Sequence, residues 1–212
     1  MPNDWIKFLA ALLLLLPPAA LFQGSRVRHR ALAHGWAGHW GRTFSHGLHT
    51  IDFGRAMLGA WCLAVAFVAS PDAAGPARHW GVVTQATVLA LATALQIFVC
   101  REPGSANAPF AFVSGVMAGF LPLEIAALSL LMAAALATGV RAGAVFFPGL
   151  AGLIFGLGMI LSRQSLALPL VIAATVAAMP WLLTLLFPRT LVVAHRAKRL
   201  SRERHAAIGK LK

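Results

Sequence analysis

Long runs of Leu, Ala, Val and Phe recur along the chain, each closed by charged residues or by Pro and Gly. Read by length and by the charges that bound them, they give six apolar segments, at 5–22, 53–69, 80–99, 109–136, 144–161 and 166–187. A helix needs about twenty apolar residues to cross the hydrocarbon layer of a bilayer. The pattern predicts an all-α fold, a polytopic transmembrane helix bundle of about six membrane-spanning segments with short loops and a basic C-terminal tail. Short connections make consecutive helices antiparallel neighbours.

Three segments depart from the simple pattern. The first has the apolar centre of a signal peptide, but Asp4 weakens its positive start and Ala20-Leu21-Phe22 lacks the small–x–small cleavage pattern. It reads as an uncleaved anchor, bent or ended at Pro17-Pro18, where backbone donors are missing. The second is the weakest, because Asp52 and Arg55 leave only about fifteen clean apolar residues. The fourth is long and broken at Pro122, which makes part of it a candidate re-entrant stretch.

Composition supports the same solvent. Of 212 residues, 59% are hydrophobic and 11% charged, where a soluble domain has about 25% charged residues. That much apolar surface needs lipid around it. Two regions follow: a bundle over 1–188, which includes a His-, Arg- and Trp-rich interfacial loop at 24–50, and a basic amphipathic tail at 189–212. The net charge of +12 sits in that loop and that tail, beside apolar segments. This is the distribution of the positive-inside rule and of contact with anionic headgroups, and it argues against a nucleic-acid partner.

Orientation carries a conflict. The tail has eight Lys and Arg against one Glu, which argues for a cytoplasmic C-terminus. The loop has Arg26, Arg28, Arg30 and Arg42 with no acid, which argues for the same side. Five full spans between them would put them on opposite sides. Either one segment does not span or the loop sits outside at the interface, and the tail carries more weight. Ala- and Arg-rich, Lys-poor usage suggests the cytoplasmic membrane of a bacterium.

Glu124 is the first candidate for chemistry, the only acid between Glu102 and Glu203. A charge at bilayer depth costs at least about 2.5 kcal/mol, so such a residue faces a partner or a water-filled cavity. Pro122 frees a backbone carbonyl one turn earlier, as broken helices do around transport sites. Glu124 with Gln85 and Gln96 therefore forms a candidate ion or proton site. The competing reading is a protonated Glu bonded across helices to Gln85, Gln96, Ser114 or Ser129, as structural glue.

The first loop holds five of the eight histidines. As a helix over 30–50 it would carry an apolar stripe of Leu32, Trp36, Trp40, Phe44 and Leu48, with His39, Arg42, His46 and His49 on another face. That outlines an interfacial amphipathic helix. Trp36, Trp40 and Arg42 are its candidate lipid contacts, as Arg196, Lys198 and Arg199 are in the tail. His46 and His49 are a one-turn pair and weak metal candidates; His39 lies roughly 10 Å from His46 by helical rise. With no acid or Cys nearby to complete a ligand set, no metal and no cofactor is expected.

Gly115-x3-Gly119 and Gly152-x3-Gly156 each put two small residues on one helix face, where helices can approach closely. Cys62 and Cys100 are too far apart for a zinc framework. Ser114-Gly115 shares only the last two residues of the rhomboid GxSG turn, with Phe112 in place of its first Gly. No segment supplies a histidine base, and there is no Walker A sequence. The residues therefore favour a non-enzymatic accessory or assembly subunit of a larger membrane complex, in contact with lipid and with a protein partner. The alternatives are a small proton-coupled carrier working through Glu124, and a lipid-modifying enzyme using the His-rich loop.

Overall fold

The structure is a computed structural model that describes residues 4–16, 27–31, 47–67, 76–98, 105–161, 167–187 and 189–196. Within them are seven helices: α1 (Trp5–Leu15), α2 (Gly47–Ala66), α3 (Pro76–Phe98), α4 (Phe110–Phe120), α5 (Leu123–Gly139), α6 (Phe146–Leu161) and α7 (Ala167–Leu186). Three short strands accompany them: β1 (Val27–Ala31), β2 (Ser105–Asn107) and β3 (Thr190–Arg196). Three stretches are long and apolar enough to cross a membrane: Trp80–Phe98 in α3, Gly143–Leu161, which is α6 with the 3-10 turn before it, and Ala167–Leu186, which is α7. Helices α1, α4 and α5 are apolar but shorter.

Four threonine hydroxyls on these helices are satisfied within their own backbone. Thr84, Thr87, Thr93 and Thr175 each donate to the carbonyl four residues earlier at 2.8 Å. In lipid no water would do this for them.

Asp4 caps α1, its carboxylate accepting the Lys7 backbone N–H at 3.1 Å and pairing with the Lys7 ammonium at 3.0 Å. The backbone hydrogen bond, then the side chain of Lys7, hold Asp4 below the ordinary carboxylate range. A carboxyl lowered by folding contributes stability above its unfolded pKa and loses it as pH falls through the folded one. At neutral pH, D4A should therefore speed amide exchange in the first turn of α1, and the difference from the wild type should vanish in acid. Hydrogen–deuterium exchange of the N-terminal peptide at both pH values checks this. A difference that persists in acid would show that the cap does not act through the ionised carboxylate.

The apolar segment at 109–136 is two helices. Pro122 has no backbone N–H and cannot continue α4; Leu121 caps α4 and Pro122 precedes α5. The end of α5 is closed by two hydrogen bonds, Arg141 N–H to the Thr138 carbonyl and Ala142 N–H to the Ala137 carbonyl, both 3.1 Å. Arg141 takes the left-handed conformation this closure requires, with φ 56°.

Helix directions follow from side-chain pairs. Phe8 meets Phe67 at 5.6 Å, and Leu14 and Leu15 meet Gly59, so α1 and α2 are antiparallel. Gln85 donates to the Leu63 carbonyl at 3.4 Å and Gly81 meets Phe67, so α3 returns beside α2. Gly115 and Gly119 meet Phe53 and Met57 in the same order, so α4 runs parallel to α2. Phe110 stacks on Phe147 at 4.7 Å and lies 5.2 Å from Phe146, which puts the starts of α4 and α6 together. Phe110, Phe112, Phe146 and Phe147 are buried and fill the core there. Phe187 meets Phe98 at 6.0 Å, so α7 ends beside the end of α3.

The strands form one sheet in the order β1-β3-β2. β1 pairs antiparallel with β3, Val27 opposite Arg196 and Ala31 opposite Val192. β2 pairs parallel with β3, Ser105 opposite Thr190. The sheet lies where α3 ends and α4 begins, since Asn107 donates to the Gln96 carbonyl at 3.2 Å. One helix over 30–50 is therefore corrected at both ends: residues 30 and 31 are strand, and 47–50 form the first turn of α2. Pairing with β3 supplies backbone partners that outweigh the weak helical preference of a glycine-rich loop. The rest of that stretch lies outside the described residues.

Candidate functional site

Glu124 stands in the first turn of α5, directly after the break at Pro122. It is exposed, as are Leu123, Ala127, Leu128, Leu131 and Ala135. These positions follow the helical period, so the carboxyl belongs to an outward apolar stripe. Among the described residues it has no hydrogen bond and no ion pair. The helix dipole favours a negative charge at this position by only about 0.3–1 kcal/mol.

Its position along the bundle is fixed by α4. Gly119 lies against Met57, and α4 ends one residue later. Past Met57, α2 continues for roughly 13 Å at 1.5 Å per residue, reaching Ala66. The turn that carries Glu124 thus falls within the length of α2.

The polar residues grouped with Glu124 by sequence lie elsewhere. Gln85 bonds to α2 at Leu63. Gln96 is buried near the sheet, its carbonyl accepting from Asn107. Ser114 is buried in α4 and Ser129 in α5. Ser129 is about 140° around the helix from Glu124, at 100° per residue, so the two cannot share a face. The Gln96 amide nitrogen and the Ser129 hydroxyl find no hydrogen-bond partner among the described residues.

A polar knot that the sequence reading missed joins α1, α2 and α4. Arg55 pairs with Asp52 at 2.5 Å and donates to the carbonyls of Leu14 and Leu16. Its guanidinium lies 5.7 Å from the centre of the Phe112 ring. Pro17-Pro18 follow α1 directly, so the last carbonyls of α1 need a donor from elsewhere. The Asp-x-x-Arg spacing was a legible signal of an ion pair on one helix face.

The two glycine pairs differ sharply. A Cβ on Gly115 would lie 2.3 Å from the Phe53 carbonyl oxygen, and one on Gly119 would lie 2.0 Å from that of Met57. These glycines are where α2 and α4 touch backbone to backbone. Gly152 and Gly156 have nothing within 4 Å of a built Cβ and are exposed on α6.

Trp36, Trp40, Arg42, His46, Lys198 and Arg199 lie outside the described residues. His49 lies in the first turn of α2 and Arg196 ends β3. Among the described residues no three His, Cys, Asp or Glu side chains gather to hold a metal. Cys62 is half-buried and free. Comparison with protein-family models, with curated proteins and with solved structures finds no match.

Proposed function

We propose that this chain is a multi-pass subunit of a larger membrane assembly, and that Glu124 faces a second protein within it. The observation that carries this reading is the outward carboxyl on an apolar stripe, within the length of α2. In lipid a charge there costs at least about 2.5 kcal/mol, several times what the helix dipole returns. A cation or hydrogen-bond donor from a neighbouring chain removes that cost. The open face of Gly152 and Gly156 suits a close helix contact in the same assembly.

The sheet supports a topology with both basic stretches on one side, and their Lys and Arg make that the cytoplasmic side of a bacterial membrane in this reading. Among the described residues six helices, α2 to α7, lie between β1 and β3, and an even number of passes returns the chain to one side. In this arrangement α4 and α5 enter and leave as a short hairpin with Glu124 near its tip. A second reading, a proton-coupled carrier, draws on that same helix break, of the kind that lines transport sites, with an acid in the turn after it.

The test is native mass spectrometry after mild extraction into nanodiscs, with the wild type, E124Q and E124L compared. The amide in E124Q keeps hydrogen-bonding capacity and should leave a stoichiometric partner bound. E124L should release it, since a partner's buried donor left without its acceptor costs about 1–3 kcal/mol. An assembly unchanged in E124L would sink the pairing. A chain that purifies without partners and loses proton-coupled uptake in E124Q would favour the carrier.

A further inference from the structure

One face of α3 is exposed along the whole of its apolar length. Trp80, Val83, Thr87, Leu91, Leu95 and Phe98 are all exposed and recur at steps of three and four, which keeps them on one side of the helix. The Thr87 hydroxyl donates to the Val83 carbonyl, so the stripe offers lipid no unpaired donor. Trp80 and Phe98 are about 27 Å apart by helical rise, close to the hydrocarbon thickness of about 30 Å. The stripe thus matches the depth of a bilayer, with an indole at one boundary and the Phe98 ring at the other.

A guanidinium stands at that second boundary. Arg189 is exposed, and its guanidinium lies 5.5 Å from the centre of the Phe98 ring, within the range of cation–π attraction. Phe98 is braced in turn by an edge contact with Phe187 at 6.0 Å. The backbone is held on both sides: the Arg189 N–H donates to the Phe187 carbonyl at 2.5 Å, and Leu191 is buried. Among the described residues no carboxylate pairs with Arg189 and nothing accepts from its side chain. A planar cation with its N–H donors uncommitted therefore faces the headgroup layer, where a phosphodiester can take two of them at once.

We propose that Arg189 and the Phe98 stripe form a binding site for one anionic phospholipid, its phosphate on the guanidinium and an acyl chain along Leu95 and Leu91. This does not depend on a partner at Glu124. An anionic lipid fits better than a zwitterionic one, whose headgroup brings its own cation. The full chain in detergent would be titrated with phosphatidylglycerol and, in parallel, with phosphatidylcholine, counting bound lipid by native mass spectrometry.

R189Q should weaken phosphatidylglycerol binding about fivefold, the factor given by about 1 kcal/mol per basic residue at an anionic surface. R189K keeps the charge and should retain more of the lipid than R189Q, which separates lost charge from lost fold. F98L keeps the apolar stripe but loses the ring, and should weaken binding about two- to fivefold. Arg141 is the control, exposed at the end of α5 with no ring beneath it among the described residues, and R141Q should bind as the wild type does. Undiminished phosphatidylglycerol binding in R189Q would overturn the site. Equal losses in R141Q and R189Q would overturn it in favour of unspecific attraction to charge. Displacement of the lipid by an equal concentration of glycerophosphoglycerol, the headgroup without its chains, would overturn the role of the stripe.

Discussion

R55L should lower the stability of the protein by about 3–5 kcal/mol, the range for breaking a buried ion pair by removing one member. The Asp52–Arg55 pair is largely shielded, with side chains 18% and 14% exposed. Leucine at 55 would leave the Asp52 carboxylate without its cation. It would also take donors from the part-buried Leu14 carbonyl and the exposed Leu16 carbonyl, and a carbonyl left unpaired away from water costs about 1–3 kcal/mol. Removing both charges is a different matter. The double variant D52L/R55L has no stranded carboxylate and should recover much of the loss, keeping only the deficit at the end of α1. Thermal unfolding of the wild type, D52L, R55L and D52L/R55L in one detergent, as a double-mutant cycle, measures the coupling. If R55L melts with the wild type, the knot does not hold α1 to the bundle.

G115A/G119A should be nearly as damaging. Overfilling a well-packed contact costs about 1–3 kcal/mol per site, and here the obstacle is backbone. The Met57 carbonyl oxygen 2.0 Å from a Cβ at 119 cannot rotate away as a side chain can, so α2 and α4 must move apart. G152A/G156A is the control. With nothing within 4 Å of either position, the isolated chain should tolerate both methyl groups and gain helix propensity of about 1 kcal/mol per site. Melting curves of the two double variants should move in opposite directions. Equal destabilisation by both pairs would mean that the 152–156 face is covered within the chain itself.

Much of the helical plan was legible because length and apolar content set it. The break at Pro122 was visible too, since a proline cannot donate to the helix it interrupts. The strands were not. Val27–Ala31 and Thr190–Arg196 are short, carry no turn signal between them, and find each other only through the fold of everything in between. Asp52 and Arg55 were read as charges that weaken a span; the acceptors that use Arg55 are main-chain carbonyls of α1, which no sequence pattern marks. Glu124 stood out as a lone acid, but its partners were sought inside the bundle. The 140° between it and Ser129 was available from the helical period and points outward.

The β1–β3 pairing has a consequence for biogenesis. β3 is translated after all seven described helices, so β1 waits through the synthesis of the bundle with its ladder groups unsatisfied. Pairings this distant in sequence form late, because closing so long a loop is entropically costly before any contact rewards it. Until then β1 is an open strand edge, and such edges recruit other chains. β3 therefore acts as a latch, and a nascent protein stalled before residue 190 would expose that edge to proteases and to neighbouring copies.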